Sequence, residues 1–298
     1  MRQHYLRMLF SPKSVAVIGA SERTNAVGEI VFRNILESGY KGLLYPVNPL
    51  HQEVQGQRAY ATIEALGAPV ELAVICTKAE TVPDIIEACG KHGVRAAMIL
   101  SAGFSEVGDR GTALEHAMLA NAKNYGVRII GPNCLGIVRT AIGLNATFFN
   151  GSIKPGTLAL VSQSGALCTA MLDWASANDI GFSSVVSMGA ASDVDFGEIL
   201  DYLATDVQTS SILIYVEGIR KARGFMSALR AAARSKPVFV IKVGRHDAGS
   251  RAVMSHTGAL VGSDDVFDAA LRRAGVVRVE SIGGLFSAAR SLASHHSY

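Results

Sequence analysis

Nearly unbroken runs of valine, isoleucine, leucine and alanine constrain this chain most. "SVAVIGA" (14–20), "GLLYPV" (42–47), "ELAVICT" (71–77), "AAMILSAG" (96–103) and "VRIIGP" (127–132) do not alternate between apolar and polar positions. A strand of this kind must be covered on both faces, which a parallel sheet flanked by helices provides. The segments between the runs are helical in pattern. "TVPDIIEACGKHG" has Thr at its start, Pro in its first turn and Gly at its end, and "DRGTALEHAMLANAKNYG" also stops at Gly. Five strands with intervening helices predict one doubly wound α/β domain.

Around "ATFFNGSIKPGT" the periodicity lapses, which predicts a linker. The alternation then restarts with strands at 157–163, 183–189, 210–218 and 237–244. Helices are predicted from Gly165 to about Asn178, Phe196 to Ala204, Ala222 to Arg234 and Asp264 to Ala274. The expectation is a second open parallel sheet, with domains at 1–145 and 146–298. The length of 298 residues and the 49% hydrophobic content are enough for two cores of roughly 150 residues each.

Composition removes several function classes. A net charge of +3 with dispersed basic residues argues against a nucleic-acid partner. The longest apolar runs, such as "SILIYV", fall far short of the ~20 residues a membrane span needs, and the N-terminus has no signal-peptide pattern. Cys76, Cys89, Cys134 and Cys168 show no metal-finger spacing. These features predict a cytoplasmic protein with reduced thiols, no membrane association and no metal.

In open α/β sheets ligands bind beyond the carboxyl ends of the strands, so the loops there are the places to look for chemistry. "GASERTNAVG" lacks the GxGxxG dinucleotide fingerprint. It reads either as a plain strand-to-helix turn or as a phosphate cradle of backbone N–H groups, with Ser21 and Arg23 as added donors. "PVNP", "CTKAE", "SAGFSE" and "GPNCLG" place small and polar residues at the other strand ends, and together they suit a long ligand lying across one sheet edge. In the second domain "VSQSGAL" starts a helix where a phosphoryl group would be favoured; capping by Ser162 or Ser164 would use the same residues. "YVEGI" sets Glu217 at a buried strand end, where a carboxylate needs a partner. "SHTGAL" carries His256, which alone reads as a surface-loop histidine. With a carboxylate to fix its tautomer and helix starts to hold phosphate, it reads as a phosphoryl acceptor. Walker, HExxH and GxSxG patterns are not found.

Taken in order, "SVAVIGAS", "YPVNP", "LSAGFSE", "GPNCLG", "SQSGAL", "DVDFGEILDYLA", "YVEGI" and "SHTGAL" resemble the NDP-forming acyl-CoA synthetases and, more distantly, the α subunit of succinyl-CoA synthetase. The resemblance covers essentially the whole chain. It implies a Rossmann-like CoA-binding domain followed by a flavodoxin-like ligase domain, with CoA or acyl-CoA, phosphate, and ADP or ATP with Mg as ligands. By it, His256 matches the phosphorylated histidine and Glu217 the carboxylate that orients it. Ser164, Gly165 and Ala166 match the helix start that holds phosphate. Gly19, Ala20 and Ser21 match the CoA-binding turn, with Asn48, Ser101 and Asn133 as wall contacts.

Two features depart from the family pattern. Relatives often carry Gly-Asn-Lys where this chain has Gly189-Ala190-Ala191, and the chain ends at "SLASHHSY" with no ATP-grasp half. It is therefore expected to work with an ATP-grasp domain or β subunit, within an oligomer. The rival is the CoA-thioester-binding regulatory region of a GNAT-type protein lysine acetyltransferase. An NAD(P) oxidoreductase is disfavoured by the missing fingerprint.

Overall fold

Each of the five leading apolar runs forms a strand: β1 (Ser14–Ile18), β2 (Leu43–Val47), then, after a small antiparallel hairpin of β3 (Glu53–Val54) and β4 (Gln57–Arg58), β5 (Leu72–Ile75), β6 (Ala96–Ile99) and β7 (Arg128–Ile130). The computed structural model describes residues 4–243 and 264–294. It divides into two units, Met1–Asn150 with Gly189–Val194, and Gly151–Met188 with Asp195–Tyr298.

In the first unit the parallel sheet runs β2-β1-β5-β6-β7. Every residue of β1, β5 and β6 is buried. Successive side chains point to opposite faces of a sheet. Ala16, Ile18, Ala73, Ile75, Ala97 and Ile99 share one cluster with Ile86 and Met118 from the helices α3 (Val82–Lys91) and α4 (Asp109–Tyr125). Val15, Val17, Leu72, Val74 and Met98 alternate with them and are equally dry, beneath α1 (Arg7–Phe10) and α2 (Val27–Glu37). This two-sided burial is what the continuous apolar runs required. α4 ends at Gly126 in the left-handed conformation. Thr81 precedes α3 without capping it; its hydroxyl instead bonds the Lys78 carbonyl at 2.8 Å.

A second antiparallel hairpin, β8 (Gly136–Arg139) and β9 (Leu144–Thr147), follows β7. Asn34 on α2 donates to the carbonyls of Thr147 and Phe149, both at 2.8 Å, and ties this hairpin to the first unit. The lapse in periodicity at 146–157 therefore contains the end of β9 and the start of β10 (Pro155–Ser162); only residues 148–154 lie between the strands.

The second unit comprises β10, α5 (Gly165–Ala177), β11 (Phe182–Ser187), α6 (Phe196–Thr205), β12 (Ser211–Val216), α7 (Ala222–Ala233), β13 (Val238–Lys242), a helix at Asp264–Ala274, β14 (Val277–Arg278) and a helix at Ile282–Ser294. Its strands run β14-β13-β12-β10-β11, all parallel. Numbered by their own order along the chain, both parallel sheets have the sequence 2-1-3-4-5. α6 opens with a reciprocal capping box between Asp195 and Glu198. Among the described residues no helix is long and apolar enough to cross a membrane.

The N-terminal segment is fastened by a bidentate ion pair. Arg7 reaches both oxygens of Glu71 at 2.6 and 3.1 Å, and the Lys13 N–H donates to the same carboxylate at 2.7 Å. Burial pushes the Glu71 carboxyl upward, but the hydrogen bonds from Arg7 and Lys13 outweigh it, and the group titrates below its ordinary 4.5. A carboxylate depressed in the folded state adds stability above its unfolded value and loses it as pH falls through the folded one. Urea midpoints measured against pH should therefore drop on the acid side of about 4.5 in the wild type, and drop less steeply in Glu71→Gln.

Candidate functional site

Strand order reverses between β1 and β5 in the first sheet, which opens a crevice at their carboxyl ends. Gly19 leaves β1 there with φ +88°, and its N–H donates to the Val47 carbonyl at 2.9 Å. A Cβ on Gly19 would stand 3.0 Å from Thr77 Cγ2, so the loops after β1 and β5 are in close contact. A Cβ on Gly28 would stand 1.9 Å from the Gly19 carbonyl oxygen. The first turn of α2 is thus seated directly on the strand end, a close approach that only glycine permits.

The row of strand ends is continuous. Asn48 after β2 donates to the Ala20 carbonyl at 2.7 Å and accepts from the Leu50 N–H at 2.9 Å. The Ser101 hydroxyl after β6 donates to the Thr77 carbonyl, and the Asn133 N–H after β7 donates to the Ser101 carbonyl at 2.9 Å. Gly19, Ala20, Asn48, Ser101 and Asn133 are therefore linked across all five loops. Their roles differ. Ala20 is fully buried and offers only its backbone, whereas Arg23 and Asn133 are exposed. Asn48 and Ser101 spend hydrogen bonds on holding neighbouring loops. The Ser21 hydroxyl accepts from the Arg23 N–H at 3.0 Å, so it shapes the turn. The β3–β4 hairpin braces the same turn, with the Gln55 N–H on the Glu22 carboxylate and Gln55 Nε2 on the Glu29 carbonyl.

Gly189–Val194 lies along the end of β7. The N–H groups of Val194, Ser192 and Ala190 donate to the carbonyls of Ile129, Gly131 and Pro132. Asp193 accepts from Arg128 Nε at 2.9 Å and from the Ile129 N–H at 2.8 Å, while Ser192 donates to the buried Glu115 at 2.5 Å. The Gly189-Ala190-Ala191 segment is thereby held beside the Gly131–Asn133 loop.

The second sheet reverses between β10 and β12. Ser162 at the end of β10 accepts from the Ser164 N–H at 3.0 Å and donates to the Ser164 carbonyl at 2.9 Å. Ser164 caps α5, its hydroxyl accepting from the Leu167 N–H at 3.2 Å. Gly165 and Ala166 form the first turn, where amide groups lack intrahelical acceptors and the helix dipole favours an anion. On the neighbouring strand, Glu217 follows β12 and is 8% exposed. Burial and the Glu217 charge together push the Tyr215 phenol up. The side chain of Gln163 joins the two loops: it accepts from the N–H groups of Glu217 and Gly218 at 2.6 and 3.0 Å and donates to the Gly218 carbonyl at 2.9 Å. His256 and the rest of "SHTGAL" lie outside the described residues. All four cysteines are free, and burial pushes the Cys168 thiol, on the inner face of α5, up to about 12, leaving it protonated.

Residues 13–140 match the family described as CoA binding domain, and residues 155–292 match the succinyl-CoA ligase like flavodoxin domain. The chain therefore carries a CoA binding domain followed by a succinyl-CoA ligase like flavodoxin domain. It is 43% identical to the acetate–CoA ligase [ADP-forming] I subunit alpha of Pyrococcus furiosus, over 97% of this chain and 63% of that protein. It is 40% identical to the 4-hydroxybutyrate–CoA ligase [ADP-forming] of Nitrosopumilus maritimus, over 93% of this chain and 40% of that one. Acetyl-coenzyme A synthetase 1 of Ca. Korarchaeum cryptofilum, solved with phosphate and ADP, superposes with a TM-score of 0.93 at 36% identity, over 97% of this chain and 62% of that one. The chain thus spans only about two fifths to two thirds of the length of these synthetase relatives.

Two residues at these strand ends carry no local signal of their role. Gln163 sits in a recognised loop, but a polar residue between two serines carries no sign of which neighbour it will bond. Gly28 was noted only as the next glycine, and its spacing of nine from Gly19 matches no fingerprint. Gly28→Ala drives a Cβ into the Gly19 carbonyl and should cost about 3 kcal/mol or more, at the upper end of overpacking penalties. Chemical denaturation of Gly28→Ala beside Gly224→Ala, also in a helix and where a Cβ meets nothing within 4 Å, checks the steric part.

Proposed function

We propose that this chain is the CoA-binding and phosphohistidine-carrying part of an NDP-forming acyl-CoA synthetase, working in the cytoplasm with an ATP-grasp domain or β subunit. The overall reaction is acyl-CoA, phosphate and ADP to acid, CoA and ATP, reversibly. Residues 1–145 hold CoA and residues 146–298 carry the phosphoryl group. The observation that carries this reading is the juxtaposition, at the reversal point of the second sheet, of a capped helix start and the carboxylate-bearing Glu217 loop.

In the first domain the backbone turn Gly19–Ser21 and the guanidinium of Arg23 receive the phosphates of CoA. The linked loops at Asn48, Ser101 and Asn133 provide the wall along which the ligand lies. The bracing of that turn from Asn48 and Gln55 supports the assignment, because a preformed backbone cradle loses little entropy on binding. In the second domain an oxygen of phosphate attacks the thioester carbonyl, and the CoA thiolate leaves and takes up a proton. An imidazole nitrogen of His256 attacks phosphorus in the resulting acyl phosphate, and the carboxylate leaves with the electron pair of the broken P–O bond. The amides of Gly165 and Ala166, at the turn capped by Ser164, offset the charge on the phosphoryl oxygens. The Glu217 carboxylate holds the imidazole in one tautomer and stabilises its positive charge. An oxygen of the terminal phosphate of ADP, held with Mg by the ATP-grasp part, then takes the phosphoryl group.

The test is labelling of the complete enzyme with ATP carrying a radioactive terminal phosphate. Wild type should acquire an acid-labile, base-stable label, Glu217→Gln should acquire it ~100-fold more slowly, and His256→Asn should acquire none while still binding CoA by calorimetry. This chain alone should not turn over acyl-CoA with ADP until the ATP-grasp part is added. A complete enzyme that makes ATP with His256→Asn would sink the phosphohistidine mechanism. A complete enzyme that neither labels nor ligates would favour the acetyltransferase-type regulatory region.

A further inference from the structure

Beyond β12 the chain turns while still buried: Glu217 is 8% exposed and Gly218 is buried beside it. Buried peptide groups outside a regular ladder need partners other than water. One side chain supplies three of them. Gln163 Oε1 accepts from both N–H groups and Nε2 donates to the Gly218 carbonyl, while the backbone N–H of Gln163 donates to the Tyr215 carbonyl at 3.3 Å. Residue 163 is thereby registered to the Glu217 strand by main chain and side chain together. On either side of it in sequence, Ser162 and Ser164 define the first turn of α5. Any displacement of Glu217 relative to the helix start must break bonds to Gln163.

We infer that Gln163 is a positioning residue, which fixes the Glu217 carboxylate against the α5 N-terminus so that both act on one phosphoryl group. This rests on the reading of Glu217 given above. An amide is needed for the task. Glutamate would keep the two N–H bonds, lose the donor to Gly218, and place a second negative charge beside Glu217. Methionine keeps the length and loses all three bonds.

The experiment is a double-mutant cycle in the complete enzyme, with rapid-quench measurement of phosphohistidine formation for wild type, Gln163→Met, Glu217→Gln and the double variant. Gln163→Met should slow the step ~10-fold or more in the wild-type background and less than about two-fold in the Glu217→Gln background, the mark of coupled residues. Gln163→Glu should keep the fold and shift the acid limb of the pH–rate profile to higher pH, because the added carboxylate disfavours ionisation of Glu217. It stands in for Gln163→Met if methionine prevents folding. Equal losses in both backgrounds, or an unmoved acid limb, would reduce Gln163 to a structural role and overturn the inference. A wild-type rate for Glu217→Gln would overturn the reading of Glu217 itself, and this inference with it.

Discussion

Two-sided burial of parallel strands is the constraint from which the rest of this structure follows. A strand such as Ser14–Ile18, dry at every position, has no side chain free for chemistry. Backbone polar groups along it are consumed by its neighbours, Leu43–Val47 and Leu72–Ile75. The carboxyl ends of the strands are where the chain first meets both water and unpaired amides. Where strand order reverses, the helices leave on opposite faces and the ends splay into a crevice. Both parallel sheets carry the same order, so the chain makes two such crevices.

The two are furnished by different physics. At the first, close backbone approach dominates, with Gly28 against Gly19 and Gly19 against Thr77. Side chains there are spent on bracing, as Asn48 holds Ala20 and Ser101 holds Thr77. The result is a rigid row of backbone edges suited to an extended ligand. At the second crevice a capped helix start and the loop of the buried Glu217 lie at adjacent strand ends, and an amide side chain holds the two in register. A shared topology thus gives two differently furnished crevices.

The strands that the residues announced were short, mostly apolar runs, such as Val15–Ile18 and Ile212–Val216, and the helices were those with clear ends, such as the one stopping at Gly126. Weak local signals went unread. β14 is two residues long and owes its existence to pairing with Phe239 and Val240. The β8–β9 hairpin hides among glycines and polar residues, and is held by Asn34 from a helix about a hundred positions earlier. Loop membership at the candidate site was legible because strand ends follow from strand calling. Side-chain tasks were not. Asn48 and Ser101 read as walls, yet their polar atoms also tie adjacent loops together, since a hydrogen-bond partner far away in sequence leaves no periodic trace.

By itself the sequence determined the two α/β domains, the loops at their strand ends and the order of the motifs along them. Apolar periodicity and motif order are local properties, written in consecutive residues. Tertiary structure alone decided that Gly189–Val194 returns to the end of β7, that Gly28 must be glycine because of Gly19, and that Gln163 serves Glu217. Each of these joins residues far apart along the chain or through contacts that no spacing rule encodes. They arise because buried backbone must be paired and close-packed with whatever the fold brings within reach.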